Sequence, residues 1–250
     1  MDNHNSKTNE DLNRNYEIFE KNYEISFSEL LNKNIADIAN KSGAEIYDKD
    51  KFLLSFFEKY VLIDLINRKI FIIPAKNLDG MNAGTNIKTD IYSEKSISKK
   101  SIAKKQFHNF NLKKLEELDL FSSAIILHFI LTADGTPLAK EWISYRELPD
   151  GLFYASTIPG VLKPIEKKYE NSGEKFIENI LKFGGEKNLN FKFAGVIYPL
   201  KRFPILLILD EKDDEFEANV RVLFDRSASH YLKSDIIKTI LVYTVRKLLI

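Results

Sequence analysis

The chain contains no cysteine. Disulfides, Cys-ligated zinc, Cys-ligated iron–sulfur clusters and a cysteine nucleophile are therefore excluded. An excess of one charge sign is also lacking. Lys and Arg number 37 against 36 Asp and Glu, a formal net charge of +1, so no global field draws the chain to nucleic acid or an anionic membrane. Long apolar runs are missing. The longest, residues 124–131, 205–209 and 70–73, fall far short of the roughly 20 residues that span a bilayer. The N-terminus, Met1-Asp2-Asn3-His4-Asn5-Ser6-Lys7, has no apolar stretch of the secretory kind, and the expected compartment is the cytoplasm. No Gly-x-Gly-x-x-Gly and no P-loop occurs, and the histidines at 4, 108, 128 and 230 keep no metal-ligand spacing, so no metal site is expected.

What is present reads as one globular domain. The 250 residues are 44% hydrophobic and 29% charged, enough to bury a core without a covalent staple. The 30 Lys against 7 Arg, with 20 Asn and 29 Ile, look like an AT-rich coding bias, so single Lys and Asn residues carry little weight. Residues 1–25 form a polar tail and a weak helix, and residues 26–250 form a single domain. A capping box at Ser26–Glu29 opens a helix with an apolar stripe of Leu30, Leu31, Ile35, Ile38 and Ala39, and Ser42-Gly43 ends it. Strands are expected at 44–47, 52–57, 60–66 and 69–73, with breaks short enough for antiparallel hairpins only. Residues 76–111 form a long basic loop. A core helix follows over 112–133 with Asn111 as its cap, then strands at 142–148 and 152–155 around Pro149-Asp150-Gly151. Helices cover 159–170 and 174–183. Strands at 191–197, 205–209 and 219–224 and a Ser234-capped helix to 250 complete the chain. The fold class is α+β, with a largely antiparallel sheet packed against helices.

Three stretches together carry a resemblance. They are Leu131-Thr132-Ala133-Asp134-Gly135-Thr136-Pro137-Leu138, then the run from Glu141-Trp142-Ile143-Ser144-Tyr145-Arg146-Glu147-Leu148 through Pro149-Asp150-Gly151-Leu152-Phe153-Tyr154, and finally Asp214–Ala218 with Val222-Leu223-Phe224-Asp225-Arg226-Ser227-Ala228-Ser229-His230-Tyr231-Leu232. The chain resembles the bacterial and archaeal family known as domain of unknown function 3786, over most of residues 30–250. Some relatives are labelled iron–sulfur proteins where a Cys-rich segment precedes the shared domain. This chain departs from them in having no Cys, so that label does not transfer. The resemblance implies a loose association with anaerobic cofactor or one-carbon metabolism.

Chemistry-bearing residues cluster in the same stretches. On a strand, Trp142, Ser144 and Arg146 share one face, where indole and guanidinium form a platform for a planar or anionic ligand. Tyr154 brings a phenol to the same edge. Asp225, Ser227 and His230 have the residue types of nucleophile-and-base chemistry, though no Gly-x-Ser-x-Gly elbow exposes Ser227. Against each stands a plainer reading: a salt-bridged Arg146, a core Tyr154, and an Asx turn at Asp225. The acidic run of residues 210–217 matches no calcium loop and reads as a solvated connection. The segment from Lys95 to Lys114 holds seven Lys and no acid, but too little Arg and aromatic for nucleic acid.

The leading expectation is an accessory domain that binds a small molecule or cofactor of unknown identity in a pocket of Trp142, Arg146, Tyr154, Asp225, Ser227 and His230. The alternative is a hydrolase or transferase with Glu147, Asp225 or His230 as acid or base. A third is a protein-interaction module that docks through the Lys95–Lys114 loop. No nucleic acid or membrane is expected as a partner.

Overall fold

The computed structural model describes residue 17 and residues 20–74 and 112–250. The loop expected at 76–111 lies wholly outside the described residues, as does the tail before residue 17. Among the described residues the chain forms a nine-stranded sheet, every named pairing antiparallel, with helices that contribute to the core on one of its faces. The α+β class is borne out.

Residues 20–31 are helical (α1) and α2 spans Ile35–Ser42. The capping box at Ser26 is corrected here. The Ser26 hydroxyl donates back to the Asn22 carbonyl inside α1, and the true cap is Asn34, whose Oδ1 accepts from the amides of Ala36 and Asp37 at 2.8 and 3.2 Å. Gly43, at φ 75°, ends α2 as expected. The meander follows as β1 (Glu45–Asp48), β2 (Lys51–Phe56), β3 (Lys59–Asp64) and β4 (Lys69–Ile73). Its last turn is held by buried Asp64, which accepts from the Asn67 amide and side chain, both at 2.9 Å.

The core helix α3 is shorter than the apolar pattern suggested, Leu120–Thr132. Asp119 caps it through the Ser122 amide, and Glu116 and Glu117, which fall inside the expected helix, precede it instead. There Glu116 and Leu118 exchange backbone bonds with Ile72 and Ile70 along β4. Backbone pairing at an open sheet edge outcompeted helix propensity.

The strands expected at 142–148 and 152–155 are also corrected. β5 is only Trp142–Ser144, a 3-10 turn covers Tyr145–Glu147, and α4 is the single turn Gly151–Ala155. Glu147 Oε2 accepts from the Ser144 amide and hydroxyl, both at 2.8 Å, and this capping box curls the chain off the strand. Helices α5 (Ile158–Tyr169) and α6 (Gly173–Lys182) follow. After β6 (Glu186–Lys187), the strands β7 (Phe193–Leu200) and β8 (Phe203–Asp210) make a hairpin that runs through Pro199 and Pro204, residues read from sequence as connection. A register irregularity between Ile197 and Leu200 accommodates Pro199, and Arg202 turns the chain at φ 70°. β9 (Asn219–Asp225) and α7 (Ser234–Leu248) close the fold.

The order across the sheet is β4-β3-β2-β7-β8-β9-β5. Ile205, Leu207 and Leu209 of β8 face the helices, while Leu206 and Ile208 face the other side and are also buried. Burial on both faces is why β8 reads as an unbroken apolar run.

Candidate functional site

The sequence-singled residues fall into three settings. Asp225 ends β9 with 3% exposure. Its Oδ1 accepts from the amides of Ala139 and Ser227, both at 2.9 Å, and from the Ser227 hydroxyl at 2.6 Å, while Oδ2 accepts from the Lys140 amide at 2.7 Å. A buried carboxylate is tolerable only when its lone pairs are filled, and here they are. Asp225 and Ser227 thus form a clamp that pins residues 139–140 to the end of β9, with the Asx turn of the plainer reading inside it. Next to it Arg226 grips Glu141 through two bonds of 2.6 and 2.7 Å. Arg226 holds the Glu141 carboxyl below the usual range.

Trp142 pairs by backbone with Asp225. Its side chain packs on the sheet face away from the helices, against a cluster of Ala194, Val196, Leu206 and Ile208. Arg146 lies on the 3-10 turn and is exposed, so the strand face expected to unite it with Trp142 does not form. Tyr154 is 37% exposed on α4, with Lys238 Nζ 5.7 Å from its ring centroid. Glu147 is occupied by Ser144, which keeps its carboxyl below the usual range. Tyr145, not weighed from sequence, is the anchor of this segment. It is buried against Phe224 and donates its hydroxyl to the Ser234 carbonyl at 2.5 Å. Burial pushes its phenol up to about 12.

His230 is the third setting. It ends the 3-10 turn Arg226–His230, and its Nδ1 lies 2.7 Å from Asp134 Oδ2 and 3.2 Å from Thr136 Oγ1. Both side chains of the pair are open to solvent, 47% for His230 and 50% for Asp134. Slight burial pushes the Asp134 carboxyl up, but the hydrogen bonds from His230 and Thr136 win and bring it down to about 2. At neutral pH Asp134 is therefore an acceptor, so Nδ1 carries the proton. Nε2 makes no hydrogen bond among the described residues. The neighbouring Tyr231 hydroxyl donates to the Thr136 carbonyl and lies against Arg202, whose Nη1 bonds the Asn40 and Lys41 carbonyls at 3.1 and 3.0 Å. The loop of Asp134, Gly135 and Thr136 is thus wedged between the end of α2 and the turn after β9. Asp134 is not among the candidate site residues read from the sequence. Its place in one of the three family-like stretches was the signal that it mattered.

Of the six pocket residues, the fold brings Asp225, Ser227 and the Trp142 backbone together in a clamp and sets His230 beside Asp134. It leaves Arg146 and Tyr154 on separate exposed positions. Among the described residues no group of three or more His, Asp or Glu side chains is gathered as a metal site, and no helix is long and apolar enough to cross a membrane.

No curated protein and no solved structure matches the chain. One family model does match, over residues 95–247, which takes in the clamp, the His230–Asp134 pair and α3 through most of α7 and leaves β1 to β4 outside. That match covers more than half of the sequence, and the chain belongs to the family described as domain of unknown function 3786.

Proposed function

We propose that the protein is a cytoplasmic accessory domain that binds a small molecule, and that His230 is its contact. The carrying observation is the 2.7 Å His230–Asp134 bond at an open surface. It orients the imidazole through Nδ1 and leaves Nε2 without a hydrogen bond among the described residues, so that in the neutral ring Nε2 can accept a hydrogen bond from a ligand or ligate one. The rest of the expected pocket serves as its frame. Asp225 and Ser227 set the turn that carries His230, and the β5 segment is pinned to that turn. The test is native mass spectrometry with an absorption spectrum on anaerobically purified protein, wild type beside His230→Ala. The reading expects a bound mass or a visible band in the wild type that the variant loses. A bare chain in both, or a bound mass kept by the variant, would contradict it.

The same pair favours the second reading, a hydrolase or transferase. A carboxylate-oriented imidazole with a bare Nε2 is the arrangement of a general base. Glu147 and Asp225 are committed to backbone partners, which leaves His230 as the acid–base group. This reading expects turnover of activated ester or phosphate substrates with a pH dependence that disappears in His230→Ala. Activity unchanged in that variant would end it.

A further inference from the structure

Two exposed apolar features, far apart in the sequence, complement each other. The first is a knob. Leu152 and Phe153, on the single turn of α4, are 64% and 79% exposed. Exposed apolar side chains on a loose loop would mean little, but this backbone is locked. A Cβ on Gly151 would lie 2.0 Å from the Tyr145 carbonyl oxygen, so the chain approaches there as only glycine permits. Asp150 is held at φ 58°, the Gly151 amide bonds the Leu148 carbonyl at 2.9 Å, and the Ser234 hydroxyl donates to the Pro149 carbonyl. Association through such a knob loses little conformational freedom.

The second feature is a groove. An open cavity of about 550 Å³ lies between α1, α2 and the turns flanking β2 and β3, with Leu30, Leu31, Ile35, Leu65 and Ile66 in its wall. Leu31 and Ile66 are 42% and 63% exposed. The volume is in the range that holds small apolar groups. Charge also matches. On the groove's rim Asp50 is held by Lys51 at 2.7 Å and Lys33 by Glu29 at 3.1 Å, which leaves Lys49 without an ion pair among the described residues. Beside the knob, Asp150 is the carboxylate in the same condition.

We infer that the chain associates head to tail with a second copy of itself, the Leu152–Phe153 knob of one copy seated in the Leu31–Ile66 groove of the next, Asp150 facing Lys49. Knob against knob would bring two Asp150 carboxylates together, so the knob of one copy meets the groove of the other rather than its own counterpart. Two side chains seated in one groove make a contact well below the roughly 800 Å² per partner of a stable complex, so association is weak. A bilayer is the poorer occupant, because two apolar side chains beside a carboxylate give only one of the two signals stable anchoring needs.

Sedimentation equilibrium of the full chain, from about 10 μM to 1 mM, tests this. The wild-type mass is expected to climb above the 29.0 kDa of one chain as concentration rises. Phe153→Asp and Ile66→Asp each stay at the single-chain mass, with unchanged thermal midpoints because both sites are exposed. Mixed in equal amounts, the two variants form a one-to-one complex and nothing larger, since one intact knob and one intact groove remain between them. A wild type that stays at the single-chain mass throughout, self-association that survives either substitution, or a mixture that shows no complex would each overturn the proposal. So would single-chain behaviour combined with Phe153-dependent binding to phosphatidylcholine–phosphatidylglycerol vesicles, which would assign the knob to a lipid surface.

Discussion

The meander of β1 to β4 and the group of β5 to β9 share one sheet but are built differently. In the meander each strand pairs with the next through a short turn, and its buried carboxylate, Asp64, bonds Asn67 three residues away. In the second group the polar ties reach across the chain. Asp225 holds amides 85 and 86 residues distant, Tyr145 bonds a carbonyl 89 residues away, and Tyr169 bonds the Leu248 carbonyl across 79. The two regions meet in a single register pair, Phe56 with Leu200, beside the 2.8 Å bond from the Phe57 amide to the Pro199 carbonyl. Local pairing closes small loops at small entropic cost, so the meander needs little beyond apolar alternation. The second group brings distant segments together and depends on particular side chains to do so. Those side chains also frame the exposed features, His230 and the knob.

The sharpest way to break this contrast is to remove these two buried aspartates in turn. Asp225→Ala strands four donors in the interior and is expected to cost about 3–5 kcal/mol. Hydrogen exchange should quicken across residues 134–141, where the clamp is lost, and stay unchanged in β2 and β3. Asp64→Ala should loosen residues 64–69 alone. If Asp225→Ala left residues 134–141 as protected as before, the clamp would not be what holds them.

Gly151→Ala comes next. The new methyl meets the Tyr145 carbonyl at 2.0 Å, and the strain is expected to cost about 1–3 kcal/mol in denaturant unfolding. Gly160→Ala is the control, since a Cβ there has open space around it.

A smaller effect follows from His128 in α3. Burial, the largest influence, lowers its pKa below the ordinary 6.5 despite the opposing pull of Asp235, and its Nδ1 lies 3.3 Å from the Thr132 hydroxyl. The unfolded chain then takes up a proton at a higher pH than the folded one. The sign is that stability is complete above about 6.5 and falls as pH drops through that value toward the lower folded pKa. His128→Gln should flatten this slope in melts taken between pH 7 and pH 5.

The least costly change tests the seam. Lys247 of α7 reaches Glu58, in the β2–β3 turn, with two bonds of 2.7 and 2.9 Å. Glu58→Gln should lower stability by about 0.5–1 kcal/mol, because the pair is only partly shielded from water.

The contrast also explains what could be read from sequence. The meander strands lie within about two residues of their expected positions, because alternation and turn residues suffice where contacts are local. Helices α5, α6 and α7 follow their apolar periodicity just as closely. The segment from Tyr145 to Tyr154 could not be read so. Its β propensity is real, but the Ser144–Glu147 capping box and the approach of Gly151 to Tyr145 decide its course, and the latter is a tertiary fact. Pro199 and Pro204 misled for a related reason. A missing amide argues against a strand until a register irregularity and a strand end outside the paired register absorb it. For the candidate site, Asp225, Ser227 and His230 were legible by residue type. That Asp225 would be saturated while His230 stayed open depends on residues 134–140 folding back over the β9 turn, and no local pattern announces that return.

The central claim is that Asp134 fixes the neutral His230 ring in the tautomer that carries its proton on Nδ1. Long-range nitrogen–proton NMR on histidine-labelled protein reads this directly, with His230→Ala supplying the assignment. The account predicts that, at a pH where the ring is neutral, the His230 signals show a protonated Nδ1 and an unprotonated Nε2, and that Asp134→Asn collapses this preference. A His230 ring protonated on Nε2, or one whose spectrum ignores Asp134→Asn, would contradict it.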